Sequence, residues 1–149
     1  MRKLRYISLF FLVAMAFSSC KKEEEINRIP AIEFQTISAT TVLSFENAVV
    51  ITFRYMDENG DIGYVDPDEY ALRIKDARLS DFDWYHIPPL TPELEELDIE
   101  GTFSVTLDPL FILGSSEQES TSFSLQLRDR EGNWSNTIET PAVTIVESM

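Results

Sequence analysis

The sequence predicts an all-β protein, a single antiparallel β-sandwich of about seven short strands, and three observations predict it. Apolar and polar residues alternate with period two along several segments, turn-forming residues separate those segments, and no long stretch carries the three-to-four-residue repeat of an amphipathic helix. Alternation has a simple cause. Successive strand side chains point to opposite faces, so an apolar row meets a core while its polar neighbours stay in water.

Taken in order, Ile32 to Ile37 predicts the first strand and Val42 to Phe45 a short second one. Ile51, Phe53 and Tyr55 then alternate with Thr52 and Arg54, and Tyr70 to Ile74 follows more weakly. The clearest patterns come next. Phe103, Val105 and Leu107 alternate with Thr102, Ser104 and Thr106, while Phe123, Leu125 and Leu127 alternate with Ser122, Ser124, Gln126 and Arg128. Ala142 to Val146 predicts the last strand. Between these segments lie Asn59-Gly60, Pro67-Asp68, Pro88-Pro89, Asp108-Pro109 and Glu131-Gly132-Asn133, whose residues favour tight turns. Pro92 to Leu97, with Thr91 as a cap, predicts one helical turn in a crossover.

The first segment has a different character. Basic Met1-Arg2-Lys3-Leu4-Arg5 leads into an apolar run from Tyr6 to Phe17 and then Ser18-Ser19-Cys20, the three-part layout of a secretory signal. That apolar run is shorter than the ~20 residues a membrane-crossing helix requires. Ala16-Phe17-Ser18-Ser19-Cys20 resembles the lipobox of bacterial lipoproteins, with Phe17 where an aliphatic residue is usual. The resemblance implies cleavage before Cys20 and acylation of that residue. The plainer alternative is a free thiol in a secreted protein, a liability outside the cytoplasm. Two or more acyl chains at roughly 0.8 kcal/mol per buried methylene would make the anchor effectively permanent. The expected organisation is therefore residues 1–19 as signal, 20–30 as a lipidated charged tether and 31–149 as the sandwich.

Just after the cut, Lys21-Lys22-Glu23-Glu24-Glu25 resembles the export signal that sends surface lipoproteins of the Bacteroidetes to the outer leaflet of the outer membrane. It also reads as a plain solvated tether, and the two readings are compatible. If retained on the inner leaflet, the protein would face the periplasm. Loss of Arg2, Lys3 and Arg5 with the signal moves the formal charge from -14 to -17 against 26 acidic residues. A field of that sign repels phosphate backbones and argues against nucleic-acid binding.

Two closing resemblances bear on the fold. Arg128-Asp129-Arg130-Glu131-Gly132-Asn133-Trp134-Ser135-Asn136 is similar to the hairpin that joins the last two strands of many bacterial immunoglobulin-like and fibronectin type III-like surface modules. Asp61-Ile62-Gly63 resembles a stretch of small Bacteroidetes lipoproteins. These imply a sandwich of that style on the cell surface and bring no activity with them.

The stretch from Asp57 to Asp68 is the best candidate site. Asp57, Asn59, Asp61 and Asp68 fall at positions 1, 3, 5 and 12 of a calcium loop, where alternate side chains present hard oxygens to a cation that takes six to eight. Ile62 stands where an EF-hand needs Gly and Asp68 where it needs Glu, and strands flank the loop, so a true EF-hand is excluded. In the predicted fold this loop and the one beginning at Asp129 share a pole, so Asp129 joins the candidate calcium set. The competing reading is a solvated acidic turn capped by its own Asp and Asn side chains.

Trp84, Tyr85 and Trp134 are the candidate ligand-binding aromatics, since exposed rings beside carboxylates suit sugar stacking, whereas His86 reads as a satisfied or surface histidine. The competing reading places Phe82 and Trp84 in the core and leaves only Tyr85 wet, while Trp134, at the tip of the last hairpin, is the better exposed ring or folds back over the sandwich end. His86 is the sole His and Cys20 the sole Cys, which removes most nucleophile and zinc chemistry. No spacing singles out a carboxylate pair for glycoside cleavage. The sequence thus leads to a lipid-anchored, non-enzymatic binding or accessory module, partnered by an outer-membrane complex or a glycan; the alternative is a carbohydrate-binding or carbohydrate-cleaving lipoprotein.

Overall fold

The computed structural model describes residues 26–92 and 96–147, so the signal, Cys20 and Lys21 to Glu25 lie outside the described residues. Among the described residues there are ten strands and no helix. They are β1 (Ala31–Ile37), β2 (Thr41–Leu43), β3 (Val49–Asp57), β4 (Leu72–Asp76), β5 (Asp83–Tyr85), β6 (Ile99–Leu107), β7 (Gln118–Thr121), β8 (Phe123–Leu127), β9 (Ile138–Glu139) and β10 (Val143–Val146). The helical turn expected at Pro92 to Leu97 falls mainly on 93–95, outside the described residues.

One sheet has the order β1-β3-β6, a second β5-β4-β8-β9 and a third β2-β10-β7. The first two face each other as a β-sandwich, because the apolar rows of both belong to one core. From β3 come Val49, Ile51 and Phe53, all 0% exposed, and from β4 and β8 come Leu72, Ile74, Leu125 and Leu127. Replacing a ring buried as Phe53 is by Ala typically costs about 3–5 kcal/mol.

The third sheet prolongs the second. β7 runs into β8 across Ser122, and β9 into β10 across Thr140-Pro141-Ala142. Pro141 has no N–H to give a ladder, so regular pairing lapses there. Thr140 carries the chain through the gap: its N–H donates to the Phe123 carbonyl at 2.9 Å and its hydroxyl oxygen accepts the Phe123 N–H at 3.0 Å. These interruptions, together with the short β5, account for ten strands where about seven are expected. A second difference concerns direction. β2 lies parallel to β10, although the sequence predicts antiparallel pairing throughout. The chain leaves β1 and within three residues enters β2, which lies beside β10 with the same heading.

Strand directions define two poles. At the first, β3 ends, β6 begins opposite it, and the loops 58–71 and 128–137 meet through an isolated bridge between Ile62 and Asp129. Segment 26–30 reaches the domain here: Asn27 N–H donates to Glu58 Oε2 at 2.6 Å, and Arg28 pairs with Glu96 and Glu131, each at 2.9 Å. At the far pole Asp76 ends β4 almost fully buried. It accepts hydrogen bonds from the backbone and guanidinium of Arg78 and from the Thr121 hydroxyl, and Arg78 also reaches Glu119 at 3.0 Å. Burial alone would raise the Asp76 carboxyl, but the hydrogen bonds from Arg78 and Thr121 outweigh it and hold the group below its ordinary value.

Candidate functional site

The acidic pole is built by two tight turns on rigid strand ends. Asp57 is the last residue of β3, 2% exposed, and its Oδ2 accepts the Asp61 N–H at 2.9 Å, closing the chain into a loop over Glu58-Asn59-Gly60. Gly60 makes the loop possible: its φ is +65°, and a Cβ there would stand 2.2 Å from the Leu97 carbonyl oxygen. Ile62 then plugs the core end, fully buried, and fixes how the loop sits. The loop grips the hairpin opposite. Arg130 N–H donates to the Asp61 carbonyl at 3.0 Å, Glu131 N–H to Asp61 Oδ2 at 3.2 Å, and the Tyr64 hydroxyl to the Asp129 carbonyl at 2.5 Å.

The sequence-derived residues fall into three groups. Asp57, Asn59 and Asp61 share the closed loop, and in each of them Oδ1 is buried without a hydrogen-bond donor. Asn59 is 3% exposed. A buried acceptor left without a donor typically costs about 1–3 kcal/mol. Asp129, 0% exposed, does reach the same pole, but both its oxygens are engaged: Oδ1 accepts Asn133 N–H at 2.7 Å and Oδ2 accepts Asn133 Nδ2 at 2.9 Å. Its first role is to close the hairpin. Asp68 stands apart, exposed in a turn where its N–H donates to Asp66 Oδ1.

Charge in the loop is under tension. Burial, then the nearby Asp61 carboxylate, pushes the Asp57 carboxyl up to about 6. Burial, then Asp129, raises Asp61 as well, against smaller opposing pulls from the Glu131 N–H and, less, from Arg130. Ionised at neutral pH, Asp57 therefore weakens the fold, and the penalty is relieved as the pH falls through about 6. Among the described residues no three Cys, His, Asp or Glu side chains gather closely enough to hold a metal by themselves. The orphaned oxygens here belong to two carboxylates and one amide, a set with hard donors only.

The aromatic candidates are distributed by register. β5 turns out to be an edge strand, paired with β4 so that Trp84 lies opposite Arg73 and Tyr85 opposite Leu72. Period two then sends Trp84 outward, 45% exposed, and Tyr85 onto the core. The expectation that Trp84 is core and Tyr85 wet is thus inverted. Trp134 is half-buried, with the Arg73 guanidinium 4.0 Å from its ring centre and Trp84 edge-on at 6.0 Å. Arg73 also lies 4.6 Å from the Phe82 ring and bonds Gln126 Oε1. Rings and cations therefore form a ladder on the outer face of the second sheet, and Trp84 is its exposed member. His86 makes an Nδ1 hydrogen bond with the Glu69 carbonyl at 2.9 Å.

Sequence reasoning missed the docking of segment 26–30 on this pole and a cleft of about 480 Å³ toward the far pole, walled by Leu79, Asp83, Trp84, Tyr85, Asp108 and Phe111. The first depends on long-range contacts of Asn27 and Arg28 that no local pattern records. The second is assembled by a segment, 108–113, whose residues read only as a turn. Compared with known proteins, the chain matches no family model and no curated protein.

Proposed function

We propose that the chain is a lipid-anchored, non-enzymatic binding or accessory module of the outer membrane, facing the cell exterior and meeting its partner at the pole remote from its anchor. Ser18-Ser19-Cys20 and Lys21 to Glu25 support the address. The sheet orders β1-β3-β6 and β5-β4-β8-β9 support an immunoglobulin-like or fibronectin type III-like assignment of the sandwich.

The observation that carries the binding role is Phe45. It lies at the far pole, 71% exposed, with φ at +64°, a backbone region that bulky residues avoid. Its ring stacks on Phe111 at 5.1 Å, and Leu79 and Leu113 are exposed nearby beside the cleft. An apolar pair held out in water on strained backbone suits a contact surface. Phe45→Gly removes the ring and relieves the strain, so it separates binding from stability. Affinity isolation of the tagged lipoprotein from its native outer membrane should return partner proteins that the Phe45→Gly and Phe111→Ser variants lose; identical partner sets would overturn the reading.

One observation favours the second reading, carbohydrate binding. Trp84 and Asp83 border the same cleft as Tyr85 and Asp108, which places a ring and carboxylates around one concavity.

A further inference from the structure

Two independent features coincide in the loop from Asp57 to Asp61. The sequence puts oxygen-bearing side chains on alternate residues, and the fold buries three of their oxygens with no donor to meet them. A loop that merely capped its own backbone would not leave Asn59, almost wholly buried, with its carbonyl oxygen unpartnered. The geometry points to a Ca²⁺ site in which Oδ1 of Asp57, Asn59 and Asp61 are three of the ligands, with backbone carbonyls and water completing the shell.

The chemistry of the donors selects the cation. All three are hard oxygens, two charged and one neutral, a donor set that disfavours zinc and copper. Calcium tolerates an irregular shell of six to eight oxygens, whereas magnesium demands a tight octahedron and gives up its water reluctantly. Arg130 is the side-chain cation that approaches the loop through Gly60. Its Nη2 lies 3.1 Å from the Thr91 hydroxyl oxygen and 3.4 Å from the Gly60 carbonyl, and its Nη1 is also unpartnered. Arg130 therefore sits beside the loop without supplying the missing donors.

A cation at this point would do more than satisfy the loop. Asp61 is bonded to Arg130 and Glu131 of the hairpin through its carbonyl and Oδ2, and Glu58 holds Asn27. Calcium would thus lock both turns and the arriving segment 26–30 into one unit at the anchor side of the domain.

The test uses the processed, lipidated chain in detergent, stripped of divalent ions and then titrated with Ca²⁺ or Mg²⁺. Calorimetry should find one Ca²⁺ per chain, and calcium at a hundred-fold excess over its Kd should raise Tm by roughly ten degrees. Magnesium should do far less. Asp57→Asn keeps the side-chain shape and removes a repelling charge, so this variant should be at least as stable as the wild type without calcium yet lose most of the calcium shift. Asn59→Ala, which leaves every charge in place, should lose it too. No calcium-dependent rise, an equal small rise with both cations, or a full calcium shift in either variant would overturn the site and assign the three oxygens to water.

Discussion

Asp76 and Asp57 are both buried carboxylates at strand ends, yet their surroundings drive them in opposite directions. Asp76 has the Arg78 guanidinium at 2.6 Å, whereas Asp57 has Asp61 as its charged neighbour. Because the folded Asp76 carboxyl lies below its ordinary value, its stabilising contribution is complete above the unfolded value of about 3.9 and is lost as the pH falls through the lower folded value. Denaturant unfolding followed from pH 7 downward should show that loss in the wild type, and a shallower acid decline in Asp76→Asn. Arg78→Met, which strands a buried charge, should cost about 3–5 kcal/mol at pH 7. A variant as stable as the wild type would show that the pair contributes nothing net. The surroundings of Asp76 were not legible locally. Arg78 is two residues from Asp76, but Thr121 and Glu119 arrive from β7, more than forty positions away.

At the level of elements, the strands were readable because alternation is a local property: the centres of β1, β3, β6 and β8 all lie inside predicted segments. β5 was not, since three residues are too few to establish a period, and the inverted assignment of Trp84 and Tyr85 followed from that. Loops were readable as turns but not as partners. Asp57, Asn59 and Asp61 could be singled out by spacing, while the engagement of Asp129 by Asn133 and the separation of Asp68 depend on how two distant turns pack. The glycines separate conformational from steric demands. Gly63 and Gly132 have similar φ values, +91° and +92°, but a Cβ on Gly63 would meet the Pro88 carbonyl oxygen at 2.3 Å and one on Gly132 would meet nothing within 4 Å. Gly132→Ala should therefore cost about 1 kcal/mol for backbone strain alone. Gly63→Ala must also displace the Pro88 backbone and should cost several times as much. Thermal unfolding of the two variants side by side checks this, and equal losses would mean that Pro88 gives way freely.

For the molecule as a whole, the proposed location rests on twenty-five residues that precede the described ones, and its test is made on cells. Replacing Lys22 to Glu25 by Ala should leave lipidation and abundance unchanged but remove the protein from the reach of protease added to intact cells, with unlabelled Cys20→Ala as the control in fatty-acid labelling. Equal accessibility of the wild type and the alanine variant would make the run a tether only. The placement of segment 26–30 has a mechanical consequence. β1 starts at the pole where residues 26–30 dock and runs toward the other, paired with β3 from Ala31 opposite Met56 to Ile37 opposite Ile51 with a register shift between Phe34 and Thr36. On the proposed anchoring, tension between a membrane and anything gripping the far pole would run parallel to that ladder, whose hydrogen bonds lie across the strands. They would then be strained together in shear instead of parting one by one as in a zipper, so such a pull would load the whole first strand at once.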